Sequence, residues 1–205
     1  MIAASPLLVA TTNPHKVREI RPLLADLDIE VLTLRDVPAV REPEESGRTF
    51  WENARIKALA YALATGLPVV AEDSGLQIDA LDGEPGVQSA RFLGANVPYP
   101  DRFAEIYRRL AAREDRARDA RFLTALALVV SDRVLFETEA IIEGEIARRP
   151  AGAHGFGYDP IFFYPPFGKT TAEMTLHEKS AVSHRARAFR DLIRWLRLGQ
   201  SFPVS

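Results

Sequence analysis

Carboxylates and lysines recur in this chain at spacings that suit phosphate chemistry. Glu72-Asp73-Ser74-Gly75 follows the apolar run Leu67 to Ala71. A strand there would deliver both carboxylates at its C-terminal end, where ligands bind in α/β sheets, with Gly75 permitting a sharp turn. Upstream, Glu44-Glu45-Ser46-Gly47 adds loop carboxylates, and Asn53 and Lys57 share one helix face by i, i+4 geometry. Two separated carboxylate sources, with hydroxyls and no Cys or His cluster, favour a hard, oxygen-ligated cation such as magnesium, held partly by phosphates. For Glu44 and Glu45 alone a solvated loop is the plainer reading, whereas Asp73, emerging from an apolar strand, reads as functional.

Thr11-Thr12-Asn13-Pro14-His15-Lys16 lies between a strand pattern and a helix pattern, so its amides, the helix N-terminus and Lys16 would cradle an anion. The Gly-x4-Gly-Lys pattern of a Walker loop is absent, and a plain strand-to-helix turn capped by Asn13 is an equal reading. Gly155-Phe156-Gly157-Tyr158-Asp159-Pro160 leaves an aromatic face open between glycines, which suits stacking on a base; a core aromatic in a tight turn stays open for Tyr158. Glu178 to Arg185 concentrates charge at a helix start, where His184 and Arg185 can donate to a carbonyl or simply join a surface ion-pair cluster. Of 26 basic residues, only Lys16, Lys57, Lys169 and Lys179 are lysines. Lysine is a compact point charge and arginine a planar fork, so these positions point to phosphate contacts or to coincidence.

The elements that must position these groups can be read from periodicity. Leu7 to Thr11 reads as a buried strand, Val17, Ile20, Leu23, Leu24 and Leu27 as a helix face interrupted by Pro22, and Ile29 to Leu34 as a second strand. After a loop from Val37 to Gly47, Thr49 caps an alanine-rich helix that ends near Thr65, with Gly66 as its stop. Beyond the strand Leu67 to Ala71, glycine and proline punctuate Gly83 to Gly86 and a helix is expected over Asp101 to Arg113. Three antiparallel strands are expected over Arg121 to Val130, Val134 to Ala140 and Ile141 to Ile146. A glycine-rich loop, Gly152 to Gly157, precedes the aromatic run Ile161 to Tyr164, and a last amphipathic helix starts near Ser183.

Composition narrows the field. At 205 residues and 47% hydrophobic the chain can bury one good core, and a single domain spanning 1–205 is expected. A net charge of −2 provides no global field for a nucleic-acid polymer or an anionic membrane. The apolar stretch near the N-terminus is too short for a signal peptide or a membrane span, so a cytoplasmic location is expected. Absence of cysteine excludes disulfides, a thiolate nucleophile and cysteine-ligated zinc.

Taken in order, Thr11 to Lys16, Glu45 with Phe50 to Lys57, Ala71 to Leu76, GEPGVQSARF at Gly83 to Phe92, GFGYDPIF at Gly155 to Phe162, and Glu178 to Arg185 resemble the inosine triphosphate pyrophosphatase family. The resemblance implies an elongated α/β protein with a mixed sheet flanked by helices, two lobes around a central active-site cleft, and a homodimer. It implies hydrolysis of inosine, deoxyinosine and xanthosine triphosphates to the monophosphate and pyrophosphate, with Mg2+ as cofactor. By similarity Asp73 is the catalytic carboxylate and shares the magnesium with Glu45. Thr11, Thr12, Asn13, Pro14, His15, Lys16, Ser74 and Lys57 hold the triphosphate, Lys57 also being catalytic. Phe156, Gly157, Tyr158, Asp159, Lys179, His184 and Arg185 bind the nucleoside. A donor such as Arg185 would favour a 6-oxo purine over adenine, because an amine there leaves the donor unpaired. A pyrophosphatase for other modified nucleotides and a nucleotide-binding regulator without turnover are the rival readings; retention of Glu45, Lys57 and Asp73 argues against the second.

Overall fold

The structure is a computed structural model and describes residues 5–113 and 117–198. Its sheet begins with β1 (Leu7–Val9), buried at every position, which pairs in parallel with β2 (Val31–Thr33) on one side and β3 (Val69–Ile78) on the other. Helix α1 (Pro14–Leu24) lies between β1 and β2 in the chain and α2 (Phe50–Thr65) between β2 and β3, so the order reverses at β1. Loops at the C-terminal end of a strand at such a switch point are where α/β sheets bind ligands. Four further strands, β4 (Asp119–Val130), β5 (Arg133–Ile146), β6 (Phe162–Tyr164) and β7 (Lys169–Thr170), complete the order β2-β1-β3-β4-β5-β6-β7. The β5–β6 and β6–β7 pairs are antiparallel, which makes the sheet mixed. Helices α3 (Tyr99–Ala111), α4 (Leu176–Val182) and α5 (His184–Arg197) bring the described α-helices to five.

Two compact units divide the chain. Among the described residues, the first contains 5–73, Thr124–Ala140 and 185–198; the second contains the described part of Ser74–Leu123 together with Ile141–His184. Each has its own core. In the first, Leu7, Val9 and Val70 pack with Ile20 and Leu24 of α1 and Phe189 and Leu192 of α5. In the second, Leu76 and Ile78 pack with Phe103 and Ile106 of α3, Phe122 of β4 and Phe162 of β6.

Several elements differ from the sequence expectation. The strand expected to end at Ala71 continues through Glu72-Asp73-Ser74-Gly75 to Ile78, so there is no turn at Gly75. The strands expected over Val134 to Ala140 and Ile141 to Ile146 are one strand, since neither glycine nor proline separates Ala140 from Ile141. The Asn13 cap read from the sequence is present, and α1 starts directly at Pro14. Asn13 caps the helix, its side chain accepting from the His15 N–H at 2.9 Å, and Pro14 occupies a position where no amide hydrogen is required. Pro22 lies within α1, whose helical geometry ends two residues later and short of Leu27. The last helix does begin where expected: Ser183 is extended at φ −63°, ψ 150°, and α5 starts at the next residue, His184.

Candidate active site

The first unit assembles its charged residues around β3. Successive residues of a strand point to opposite faces, and Glu72 and Asp73 accordingly meet different partners, which separates two carboxylates expected to act as a pair. Asp73 meets α2: its Oδ2 accepts from Asn53 Nδ2 at 3.0 Å and its Oδ1 lies 3.5 Å from Lys57 Nζ. Glu72 meets α1 and α5: its Oε1 lies 2.9 Å from Lys16 Nζ and 3.0 Å from Arg185 Nε. Arg185 also donates from Nη1 to Glu19 Oε2 at 2.6 Å, so Lys16, Glu19, Glu72 and Arg185 form one buried chain of opposite charges.

Lys57 joins Asp73 to the loop before α2. Its ammonium bonds Glu45 Oε1 at 2.8 Å while approaching Asp73, bringing the loop carboxylate and the strand carboxylate to one cation. The loop is held by a backbone contact. The Gly47 N–H donates to Asn53 Oδ1 at 2.8 Å, and a Cβ on Gly47 would come within 2.6 Å of that oxygen, so only glycine lets the chain approach this closely. Local sequence explains α2 itself. Thr49 and Glu52 form a reciprocal capping box, and Gly66, at φ +70°, closes the other end with its N–H on the Ala62 carbonyl.

Burial and charge set the protonation of these groups. Burial pushes the Asp73 carboxyl above its ordinary value, against the pull of Lys57 and with a further push from Glu45. Burial works against the Lys57 charge, but Asp73 and Glu45 outweigh it and hold the ammonium above its ordinary value. Glu72 is 3% exposed; burial alone would raise its pKa, yet Arg185, Lys16 and Lys57 hold it well below the usual carboxylate range.

The loop between β1 and α1 carries Thr11 to Asn13. Asn13 N–H bonds Thr11 Oγ1 at 3.2 Å, and Thr12 Oγ1 donates to Glu42 Oε1 at 3.1 Å. Lys16 thus sits in the first turn of α1, paired with Glu72 rather than standing as an isolated cation.

The second unit holds the remaining residues singled out in the sequence. Ser74 continues β3 and is half-buried. Asp159 is buried at the centre of the Gly155–Tyr158 turn: its Oδ2 accepts from the Phe156 N–H at 2.8 Å and from the Lys179 ammonium, and its Oδ1 accepts from Thr171 Oγ1 at 2.8 Å. Gly155 stands at φ +73°, and a Cβ there would strike the Asp159 carboxylate. Gly157 adopts φ +64°. Lys179 lies 5.2 Å from the centre of the half-buried Phe156 ring, a cation over an aromatic face. Tyr158 is turned inward, its hydroxyl donating to the Ser89 carbonyl at 2.9 Å and its ring edge-on to Tyr99 at 5.2 Å. The same carbonyl accepts from the buried Arg102, which also donates to the carbonyls of Ala90, Gly94 and Val97. The Gly83 to Phe92 segment therefore serves as scaffold beneath the aromatic turn. His184 stacks on Phe122 at 5.0 Å.

Sequence reasoning omitted three contributors from its site residues. Asn53 was recognisable as a polar residue one turn before Lys57; Gly47 and Glu19 carried no local signal, because what constrains them is a contact across the fold.

A profile of the Ham1 family matches residues 7–195. The dITP/XTP pyrophosphatase of Thermus thermophilus is 46% identical over 193 residues, covering 94% of this chain and 92% of that protein. The dITP/XTP pyrophosphatase of Yersinia pestis is 43% identical, covering 93% and 98%. Among solved structures, a HAM1 protein from Coxiella burnetii superposes with a TM-score of 0.86 at 41% identity, covering 95% of this chain and 99% of that one. The Staphylococcus aureus Ham1 protein gives 0.84 at 33% identity, covering 95% and 100%. With matches of this identity running along almost its entire length, the chain belongs to the Ham1 family.

Proposed function

We propose that this protein hydrolyses deaminated purine nucleoside triphosphates, deoxyinosine, inosine and xanthosine triphosphates among them, to the monophosphate and pyrophosphate. The observation that carries the reading is identity of 43–46% with proteins named dITP/XTP pyrophosphatases over nearly the whole chain. The convergence of Glu45, Lys57 and Asp73 supports it chemically. A water oxygen bonds to the α-phosphorus as the bond from that phosphorus to the α,β-bridging oxygen breaks, pyrophosphate leaves, and the water proton passes to a base. Asp73 is the base we assign: burial raises its carboxyl and so strengthens the carboxylate as a proton acceptor, while Lys57 pulls in the opposite direction. Lys57, Lys16 and the amides of Thr11 to His15 offset charge on the phosphates. Ser74 joins this phosphate set.

The donor set fits magnesium. Glu45 and Asp73 are hard oxygen donors, and among the described residues no three His, Asp or Glu side chains form a ready cage. Magnesium is commonly held by one or two carboxylates with substrate phosphates completing its shell. When bound there, the ion withdraws charge from phosphate oxygens as a Lewis acid. For the nucleoside we assign the Phe156 ring face, Gly157, Lys179 and His184, with Tyr158 and Asp159 shaping the turn that presents them. Arg185, oriented by Glu72 and Glu19, is assigned to the 6-oxygen.

Incubation with deoxyinosine triphosphate and Mg2+ is expected to release pyrophosphate and monophosphate in equal amounts. Release of orthophosphate, or no turnover, would reject the reading. Among the described residues no helix is long and apolar enough to cross a membrane.

A further inference from the structure

Helix α1 has a second charged face. Lys16 and Glu19 point from one side of it to Glu72 and Arg185. At about 100° per residue, Pro14, Arg18, Arg21 and Ala25 lie on the opposite side. There, with Thr33, Leu34 and Arg35 at the end of β2, they line a hollow of about 890 Å³, a size within the usual range for small-molecule sites. Its walls are largely apolar, from Val17, Pro22 and Leu34, and its cations are Arg18, Arg21 and Arg35.

Those three arginines converge on one hollow. Arg55, Arg108, Arg109, Arg121, Arg185 and Arg194 each pair with a carboxylate. Arg18, Arg21 and Arg35 have no carboxylate within ion-pair distance among the described residues. Asp36, whose field reaches Arg21 and Arg35, has Oδ2 bonded to the Thr33 N–H at 2.8 Å and the Thr33 hydroxyl at 2.7 Å. Glu42 meets the rim only through Thr12. Pro22 adds an acceptor. Lacking an N–H, it cannot donate to the Arg18 carbonyl one turn earlier, so that oxygen is deprived of its usual helical bond beside the hollow.

We infer that this hollow binds a phosphorylated small molecule of nucleotide size, the phosphate held by the forks of Arg18, Arg21 and Arg35 and the body laid on Pro22, Val17 and Leu34. The site shares the loop Thr11 to His15 with the proposed phosphate cradle but faces the other side of α1, and it stands whether or not the proposed hydrolysis is correct.

Adenosine monophosphate titrated into the intact chain by isothermal calorimetry is the test, with inorganic phosphate and adenosine as separate arms. Saturable binding of the nucleotide is expected, weakened roughly tenfold or more in the Arg18→Ala/Arg35→Ala variant and unchanged in Lys57→Ala and Phe156→Ala. Adenosine should bind far more weakly than the nucleotide, and inorganic phosphate should compete with it. Both arginines are exposed, so the variant should fold, and a matching circular dichroism melt checks this. The inference is overturned by absence of saturable binding, by binding that Phe156→Ala or Lys57→Ala abolishes while the arginine variant retains it, or by equal affinity for adenosine. A changed oligomeric state in the arginine variant with unaltered nucleotide affinity would also overturn it, assigning these residues to a contact between copies.

Discussion

All four lysines of this arginine-rich chain end in ion pairs: Lys16 with Glu72, Lys57 with Glu45 and Asp73, Lys169 with Glu178, and Lys179 with Asp159. Lys57 shows why a compact ammonium suits such a place, since one nitrogen serves two carboxylates approaching along different directions. If Asp73 accepts the water proton, Asp73→Asn should lower kcat by about 10²–10⁴ fold with its melting profile intact, measured by pyrophosphate release. Asn53 gives a sharper test of positioning. Asn53→Ala leaves the Gly47 N–H and an Asp73 oxygen without their bonds, at about 1–3 kcal/mol of stability. It should also raise the Mg2+ concentration needed for half-maximal turnover, because the Glu45 loop loses its anchor. Gly47→Ala should reproduce both effects, its Cβ displacing the same amide. Urea melts and magnesium titrations read the two consequences separately.

Elements decide which side chains can cooperate. Because β3 continues through Glu72 and Asp73, one carboxylate is given to α1 and α5 and the next to α2. Helix α4 is short and depends on its cap, in which Thr175 Oγ1 accepts from the Glu178 N–H and Glu178 reaches back to the Thr175 N–H at 2.8 Å. Lys169, then Thr175, hold the Glu178 carboxyl at about 2, below its ordinary 4.5. A depressed folded-state value means a stabilising contribution that is complete above pH 4.5 and is lost as the pH falls through about 2. Amide protection in α4, measured relative to the intrinsic exchange rate at each pH, should therefore fall between those limits in the wild-type chain, whereas Glu178→Gln should be less protected at neutral pH and change little across the same window.

At the scale of the molecule, each unit is organised by a hydrophobic cluster of its own. In the second unit Phe162 is completely buried against Phe122, ring centres 4.4 Å apart, and Phe122 also stacks on His184. Phe162→Ala should cost about 3–5 kcal/mol in denaturant unfolding. A loss below 1 kcal/mol would mean that this core is far less tightly packed than the contacts require.

What the amino-acid order determined alone was whatever depends on near neighbours. Thr49 with Glu52 starts α2 and Gly66 stops it, because capping bonds and left-handed geometry are closed within a few residues. The ordered motifs likewise carry the family resemblance, which the Ham1 match over residues 7–195 bears out. Tertiary structure alone decided how Glu72 and Asp73 are used. The apolar run ending at Ala71 suggested a strand end, since a buried carboxylate is costly without a partner; that partner, Arg185, lies 113 positions away. The Gly47–Asn53–Asp73 relay was hidden for the same reason, and the arginine-lined side of α1 forms a hollow only because the end of β2 lies beside it. Local bonds can be written in local sequence, but the cost of burying a charge is settled only where distant segments meet.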